Sequence, residues 1–428
     1  MFIPNKSIKL VSVLFFVMAL SACKETLESR HNPSGIKIPL PTNDFGKYID
    51  ETREQIKKAT LNEGLKDDWI EKRLPFEHRP DKEKCAESKS DKGALLIHGL
   101  TDSPFIMREL GERFRDECFW VRSILLPGHG TVPGDLLNIN FLDWVKAIDA
   151  GIDSFNGRVE ELFLVGFSTG SSLALHHVLR KNNPKNIKGL ILLAPGIKEN
   201  TSLGFAAGYI ASIGNIFTKA GWLDIHPDED QVKYESFSAN AGAQFHYLAK
   251  NLRNLAKEKP PITIPVFMAI SSADATVDAD RAREFFCNEA ENPKNKMIWY
   301  TAKEQKEDPK DTCKGFLVKR IRNLDAGILD YAHLSLPVHP NNDYYGRNGE
   351  YKSCLSYSKS NDPDEQDDPN LEICKEGKIG KKNLMFGEHT DENKEDYVVR
   401  RLTFNPSFDD MMKDIYKFIE NINRKEKN

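Results

Sequence analysis

The stretch GFSTG at positions 166–170 places Ser168 between two glycines, each two residues away. The apolar run Leu162–Phe167 before it is typical of a buried strand, and apolar residues at helical spacing follow it. A serine on a sharp turn between a strand and a helix holds its hydroxyl clear of the backbone, where it can attack an acyl carbon. The same pattern occurs by chance in ordinary loops, so this interpretation depends on the partner groups that a nucleophilic serine needs.

A nucleophilic serine needs hydrogen-bond donors where charge develops on the attacked carbonyl oxygen. The stretch LLIHGLTDSP at 95–104 predicts a strand end followed by a sharp turn. We expect the backbone N–H of Leu100 to point into the site and the N–H of Thr169, directly after the serine, to be the second donor. His98 is an alternative catalytic base, but it precedes the serine and lies at a strand end. The glycine-bracketed histidine of LLPGHG at 125–130 is interpreted as part of a structural loop.

Strands and helices alternate along the chain from Gly93 onward. Short apolar runs predict further strands at Ala94–Ile97, Phe119–Leu126, Ile187–Ala194, Ile264–Ser271 and Lys296–Tyr300. Amphipathic runs predict helices at Asp44–Ala59, Pro104–Glu117, Phe141–Phe155, Asp278–Asn288 and Phe408–Ile422. This alternation predicts an α/β fold with a mostly parallel central sheet and helices on both of its faces.

Composition divides the chain into five segments. They are a signal segment at 1–22, a tether and N-terminal arm at 23–92, a first half of the α/β core at 93–196, an insertion at 197–260, and a second half with a C-terminal extension at 261–428. Within the insertion, Leu203–Leu223 is apolar but contains several glycines and Lys219. These residues favour a helix that caps the core over a membrane span.

The N-terminus has the features of an export signal. A start with two lysines precedes the apolar run Leu10–Leu20, which is too short to span a bilayer comfortably. The run ends in LSAC at 20–23, which resembles the lipobox of bacterial lipoproteins, where the cysteine is lipidated and becomes the first residue of the mature protein. An ordinary signal peptide or a short membrane anchor is the alternative. We expect a bacterial cell-envelope protein, facing the periplasm or on the outer membrane, held to the membrane by a lipid on Cys23.

The remaining cysteines are even in number, which is compatible with disulfides in an exported chain. Proximity in the sequence suggests the pairs Cys85–Cys118, Cys287–Cys313 and Cys354–Cys374. The sequence leaves other pairings open.

Charge and residue spacing argue against several classes of partner. The net charge is −4 and no basic stripe is present, so nucleic acid is not expected. No Cys/His spacing typical of zinc occurs, and the acidic stretch 358–370 lacks the glycine and closing glutamate of a calcium loop. We therefore expect no metal and no organic cofactor.

The motifs together resemble the α/β-hydrolase superfamily, and within it the carboxylesterase and monoacylglycerol-lipase branch. The resemblance covers roughly Gly93–Ala282, with a weaker likeness up to His333. The stretches that carry it are IHGLTDSP, LPGHG, GFSTG, LLAPG and FMAISSADATVDADRA.

The resemblance implies a triad in the order serine, acid, histidine. It assigns the acid to Asp274 in the loop after a core strand, although Ser271 stands where a glycine is usual. Asp278 and Asp280 are rivals, but they open a helix, where carboxylates commonly cap the first turn. The small residue before the histidine in ILDYAHLSLP assigns the base to His333, which has two rivals later in the chain. These are His339, in an extended segment, and His389, in a polar loop.

The expected function is a serine ester hydrolase with a cap over an apolar acyl pocket, acting on a small ester or a lipid. A thioesterase or peptidase remains open, since the same triad serves every acyl transfer. So does a non-catalytic envelope lipoprotein that uses the fold for binding.

Overall fold

A computed structural model describes residues 27–81, 83–85, 91–155, 157–200, 221–302, 313–358, 368–377 and 384–424. Its strands, in chain order, are β1 Phe76–His78, β2 Lys92–Ile97, β3 Trp120–Ile124, β4 Glu161–Phe167, β5 Ile187–Leu193, β6 Trp222–Asp224, β7 Phe237–Ser238, β8 Val266–Ser271, β9 Lys296–Thr301, β10 Phe316–Arg320, β11 Leu384–Gly387 and β12 Val398–Arg401. The main sheet has the order β1-β3-β2-β4-β5-β8-β9-β10. Every neighbouring pair in it is parallel except β1 with β3. The predicted, mostly parallel sheet is confirmed.

The helices of the described residues, in chain order, are α1 Phe45–Ala59, α2 Asp67–Arg73, α3 Arg108–Asp116, α4 Phe141–Asp153, α5 Thr169–Arg180, α6 Ala239–Glu258, α7 Ala279–Glu289, α8 Asn370–Glu376, α9 Asp391–Asp396 and α10 Phe408–Asn423. Each predicted helix outside the insertion is present, with small differences at the ends. The largest concerns the helix expected to start at Pro104, which opens instead as a 3-10 turn, Pro104–Met107, before α3.

Two apolar layers lie on opposite faces of the sheet. Alternate side chains of β2 show this, because Leu95 belongs to one buried cluster and Leu96 to the other. The first layer is filled from α1, α4, α5, α6 and α7, and the second from α3, α10 and the C-terminal region. The helices therefore cover both faces, as the alternation predicts.

The N-terminal arm is packed onto the core by α1. Asp44 caps this helix, its side chain accepting the N–H of Lys47 at 3.0 Å. The Tyr48 hydroxyl is fully buried and accepts the N–H of Leu125 at 3.1 Å, next to the end of β3. Burial raises the pKa of Tyr48, so this hydroxyl stays neutral.

The insertion is helical over α6, Ala239–Glu258, but its apolar stretch departs from the predicted helix at one end. Residues 201–220 lie outside the described part, but Leu223 belongs to β6, which pairs antiparallel with β7. The expected helix over Leu203–Leu223 is therefore wrong at its C-terminal end. Gly221 has a φ of +93°, a conformation that interrupts a helix and leads into the strand.

The region after β9 contains several elements that the sequence did not predict. The edge strand β10 adds to the main sheet, and β11 and β12 form a separate parallel pair. All three suggested disulfides are present, and Cys354–Cys374 lies in this region. The pairing of cysteines that are neighbours in sequence is confirmed.

Within the described residues, we find no helix that is both long and apolar enough to cross a membrane. The signal segment and Cys23 lie outside those residues.

Candidate active site

Ser168 lies on a strained turn between β4 and α5. Its φ of +53° is rare for a residue with a side chain, and it turns the chain sharply from strand into helix. Glycine is required on both sides of the serine because neighbouring backbone atoms leave no room for a Cβ. A Cβ on Gly166 would lie 2.4 Å from the Ser171 nitrogen, and one on Gly170 would lie 2.1 Å from the Ile97 oxygen. The local sequence therefore forces the serine side chain out of the turn.

Ser168, His333 and Asp274 form a hydrogen-bonded row. The Nε2 atom of His333 lies 2.9 Å from the Ser168 hydroxyl, and its Nδ1 atom lies 2.6 Å from Oδ2 of Asp274. A carboxylate only accepts, so we assign the proton to Nδ1, which leaves Nε2 to accept from the hydroxyl. The three residues are at most 6 % exposed. In this arrangement His333 can take the proton of the Ser168 hydroxyl while Asp274 holds the imidazole.

The backbone of its own loop holds the Asp274 carboxylate. Oδ1 accepts the N–H groups of Thr276 and Val277, each at 2.9 Å, which leaves Oδ2 for the histidine. The rival acids point elsewhere. Asp278 caps α7 by accepting the N–H of Arg281 at 3.0 Å, and Asp280 is exposed in the first turn of that helix.

The rival histidines after Asp274 are used in other contacts. His339 accepts the N–H of Asn341 at 3.1 Å and lies 3.5 Å from Asp409. His389 lies with Nε2 2.6 Å from the Val399 carbonyl. Neither contacts Ser168 among the hydrogen bonds of the described residues.

His98 is a structural residue. Its Nε2 accepts the N–H of Leu126 at 3.0 Å and its Nδ1 lies 2.8 Å from the Gly99 carbonyl, so both ring nitrogens are occupied. Burial holds the pKa of His98 well below its usual value, with the neighbouring His129 acting in the same direction. The loop of His129 is likewise buried, and burial lowers the pKa of His129 to about 4.

The two expected oxyanion donors lie on adjoining elements. Thr169 is the first residue of α5, where N–H groups have no acceptor within the helix and the dipole favours negative charge. Leu100 lies in a tight turn that the N–H of Asp102 closes onto the Gly99 carbonyl at 3.3 Å. The close approach of Gly170 to Ile97 joins the two elements.

The insertion contacts this turn. The N–H of Tyr234 donates to the Thr101 carbonyl at 2.9 Å, and the Lys233 ammonium lies 3.9 Å from the Asp102 carboxylate. Asp102 is buried, and burial raises its pKa against the opposing charge of Lys233. The charged part of the insertion is thus attached beside the predicted oxyanion donors.

An ion pair between buried Glu388 and partly buried Arg401 contacts the triad loops and was not predicted from the sequence. Glu388 and Arg401 make two charge-assisted hydrogen bonds, at 2.7 and 3.0 Å, and Oε2 of Glu388 accepts the backbone N–H of His333 at 3.1 Å. The contact joins residues 55 positions apart and uses a backbone group. Spacing and residue type carry no signal for such a contact.

Among the residues that the structure describes, no group of three or more His, Cys, Asp or Glu side chains is placed to hold a metal ion.

Comparison with known proteins agrees with this geometry. Residues 88–302, half of the chain, match the family described as serine aminopeptidase, S33. The chain belongs to this family of serine hydrolases. The α/β-hydrolase fold expected from the sequence is therefore confirmed. Ser168 and Asp274 lie inside the matched residues, whereas His333 and the Glu388–Arg401 pair lie beyond them.

Two relatives of this S33 family member have names that refer to the hydrolysis of esters. The chain is 28% identical over 200 residues to a thermostable monoacylglycerol lipase of Bacillus sp. (strain H-257), covering 45% of this chain and 75% of the relative. It is 22% identical over 211 residues to a carboxylesterase of Bacillus subtilis (strain 168), covering 49% and 82%. A solved monoacylglycerol lipase of Paleococcus ferrophilus is 19% identical with a TM-score of 0.42, covering 53% of this chain and 88% of that one.

Proposed function

We propose that the protein is a serine ester hydrolase that cleaves carboxylic esters through an acyl-enzyme. The observation that carries the proposal is the buried row from Ser168 through His333 to Asp274, with hydrogen bonds of 2.9 and 2.6 Å. The names of the relatives, monoacylglycerol lipase and carboxylesterase, support esters as the substrate class. No role is assigned to a metal or an organic cofactor.

The row supports a two-step reaction. The Ser168 oxygen attacks the ester carbon while its proton passes to Nε2 of His333, and the N–H groups of Leu100 and Thr169 bind the oxyanion. The bond to the alkoxy oxygen then breaks, and the alcohol leaves with the proton from His333. Water attacks the acyl-enzyme in the same way, which releases the carboxylic acid and restores the serine. Asp274 keeps the proton of the imidazole on Nδ1 throughout.

We propose that the insertion at 197–260 is a cap over the acyl pocket. The support is its attachment beside the serine, through Tyr234 to Thr101 and Lys233 to Asp102. Its apolar stretch around 203–223 suits an acyl chain, at about 0.8 kcal/mol per buried methylene. Preference for longer acyl chains is therefore expected until the pocket is full.

A substrate panel tests the proposed reaction and separates it from its rivals. The panel contains p-nitrophenyl esters of increasing chain length, monoacylglycerols, acyl thioesters and aminoacyl p-nitroanilides. Because the family is described as serine aminopeptidase, the anilides test the peptidase alternative directly. Higher kcat/KM for the oxygen esters than for the thioesters and anilides is the expected result. Turnover of the anilides alone would identify a peptidase, and turnover of nothing would favour the binding protein.

We also propose that the chain is exported and lipidated at Cys23. The three disulfides support this, because disulfides form and persist in oxidising compartments outside the cytoplasm. In bacterial cells, the Cys23→Ser variant should lose radiolabelled palmitate while the wild-type chain incorporates it. Equal labelling of the two would refute the lipobox interpretation.

A further inference from the structure

Among the described residues, Glu388 has a side chain that contacts both loops of the triad, those of Asp274 and His333. It follows β11 directly and is 1% exposed. Its Oε2 atom accepts the N–H of His333 at 3.1 Å and lies 3.5 Å from the N–H of Ala275, the residue after Asp274. One carboxylate oxygen therefore lies against the loop of the base and the loop of the acid.

Arg401, at the end of β12, holds this carboxylate from the other side. Its Nε donates to Oε1 of Glu388 at 2.7 Å and its Nη2 to Oε2 at 3.0 Å, the bidentate geometry that fixes a carboxylate in orientation. The same Nη2 donates to the Thr276 hydroxyl at 2.9 Å, two residues after Asp274. The pair thus contacts the acid loop at one further point.

Electrostatic interactions keep Glu388 and Arg401 charged, although the carboxylate is buried. Burial alone would raise the pKa of Glu388, but the Arg401 guanidinium and the hydrogen bonds from the backbone lower it to about 2. Removing either partner of such a pair costs stability, because it leaves the other charge unpaired in a partly buried position.

The backbone of Glu388 is held as firmly as its side chain. Its N–H donates to Oδ1 of Asp330 at 2.6 Å, three residues before the triad histidine. Oδ2 of Asp330 accepts from the Asn393 amide at 2.7 Å, and that amide also donates to the Glu388 carbonyl at 2.9 Å. The segment before the histidine and the extension are therefore joined at more than one point.

We propose that Glu388, oriented by Arg401, is a positioning residue of the triad that sets the spacing between the loop of Asp274 and the loop of His333. This inference rests on the proposed function and adds to it a part of the chain beyond the residues that match the family. Glu388 contacts no reacting atom, so it acts through the placement of the imidazole and through the field of its charge.

The Glu388→Gln variant removes the charge with little change of shape. Every hydrogen-bond partner at both carboxylate oxygens is a donor, including the N–H of His389 at 3.0 Å on Oε1. An amide nitrogen at either position would therefore face an N–H group. We expect the His333 loop to shift, and kcat to fall about ten- to a hundredfold with little change in KM, because small misplacements are costly in catalysis.

Charge provides a readout that a purely structural role would not change. Among the described residues, the charged and titratable groups at the triad and its loops include Asp274, Asp102 with Lys233, and Glu388 with Arg401. Asp330 and His389 contact Glu388 and are unchanged in all the variants. In Glu388→Gln the unpaired arginine disfavours imidazolium, so the acidic limb of the kcat/KM profile moves to lower pH. In Arg401→Gln the unpaired carboxylate favours imidazolium, so the limb moves to higher pH. The double variant returns the limb toward its wild-type position.

A matched control is another carboxylate–arginine pair with one fully buried partner, Glu77 with Arg122. Nε and Nη2 of Arg122 lie 2.8 Å from one oxygen of Glu77, at the β1 edge of the sheet. Glu77→Gln should lower the free energy of unfolding and leave both kcat and the pH profile unchanged.

The experiment measures ester hydrolysis against pH, thermal melting, and the rate at which a fluorophosphonate labels Ser168, for the wild type and these variants. Slower labelling of folded Glu388→Gln and opposite displacements of the acidic limb in the two single variants are expected. Labelling and pH profiles equal to those of the wild type, or loss of stability alone as in the control, would overturn the inference and leave the proposed function intact. A folded wild type that is never labelled at Ser168 would overturn the proposed function, and this inference with it.

Discussion

At the scale of single residues, Asp274 divides its two oxygens between two tasks. Oδ1 accepts two backbone N–H groups of its own loop, and Oδ2 lies 2.6 Å from Nδ1 of His333. The loop therefore fixes the carboxylate, and the carboxylate fixes the tautomer of the imidazole. The serine reacts only if Nε2 is free to accept its proton.

The Asp274→Asn variant tests this division. An amide at this position permits the wrong histidine tautomer, so we expect kcat to fall by about four orders of magnitude while the protein remains folded. The matched control is Asp278→Asn, which changes the cap of α7 and should cost about 1 kcal/mol or less of stability. Steady-state kinetics on a p-nitrophenyl ester provides the measurement. Comparable losses of kcat in the two variants would contradict the assignment of the acid.

At the scale of elements, the turn between β4 and α5 depends on glycines that face backbone atoms. A Cβ on Gly170 would lie 2.1 Å from the Ile97 carbonyl oxygen. We expect Gly170→Ala to lose about 3 kcal/mol or more of unfolding free energy, because backbone cannot move aside as a side chain can. Denaturant unfolding provides the measurement. The control is Gly46→Ala in α1, where the nearest atom is 3.7 Å away, and near-equal effects of the two changes would refute the packing argument.

The attachment of the insertion to the C-terminal region is expected to depend on pH. Burial, and next the charge of Glu235, raise the pKa of Asp230 to about 7, and this carboxyl lies 2.5 Å from the Tyr345 hydroxyl. A carboxyl with a raised folded-state pKa stabilises the fold fully below its unfolded value, near 4, and loses that contribution as the pH rises through about 7. In Asp230→Asn this part of the pH dependence should be absent.

Thermal melting of the wild type and Asp230→Asn between pH 5 and 8 tests that expectation. The melting temperature of the wild type should fall relative to the variant as the pH rises. A constant difference between the two across the range would show that Asp230 does not titrate there.

At the scale of the whole molecule, the disulfide between Cys354 and Cys374 closes a loop next to β12, the strand that ends at Arg401. Replacing both cysteines by serine should lower the free energy of unfolding by about 3 kcal/mol, the value expected for a loop of 20 residues. Equilibrium unfolding in urea, with the oxidised wild type as reference, measures the loss. No change in the unfolding midpoint would show that this link contributes nothing to the fold.

Sequence reasoning succeeded where a local rule applies. The helix starting after Asp44, the serine turn and six strands of the main sheet follow from periodicity, capping and glycine placement; the strands are β2, β3, β4, β5, β8 and β9. It failed where a contact is distant and uses the backbone. The Glu388 carboxylate contacts an N–H group 55 residues away, and β1 is three residues long, so neither leaves a pattern that a single sequence reveals. The insertion shows a third reason why sequence reasoning failed. An apolar stretch interrupted by glycines is compatible with a helix and also with the strand that ends at Asp224.

The most direct test of the account is whether Ser168 is the nucleophile. The wild-type chain, treated with a fluorophosphonate, should form one bond from Ser168 to phosphorus with release of fluoride, and ester hydrolysis should disappear in proportion to labelling. Mass spectrometry of the labelled peptide locates the bond, and Ser168→Ala should be neither labelled nor active. Full ester hydrolysis by a folded Ser168→Ala variant, or a label on another residue that abolishes activity, would contradict the mechanism proposed for this protein.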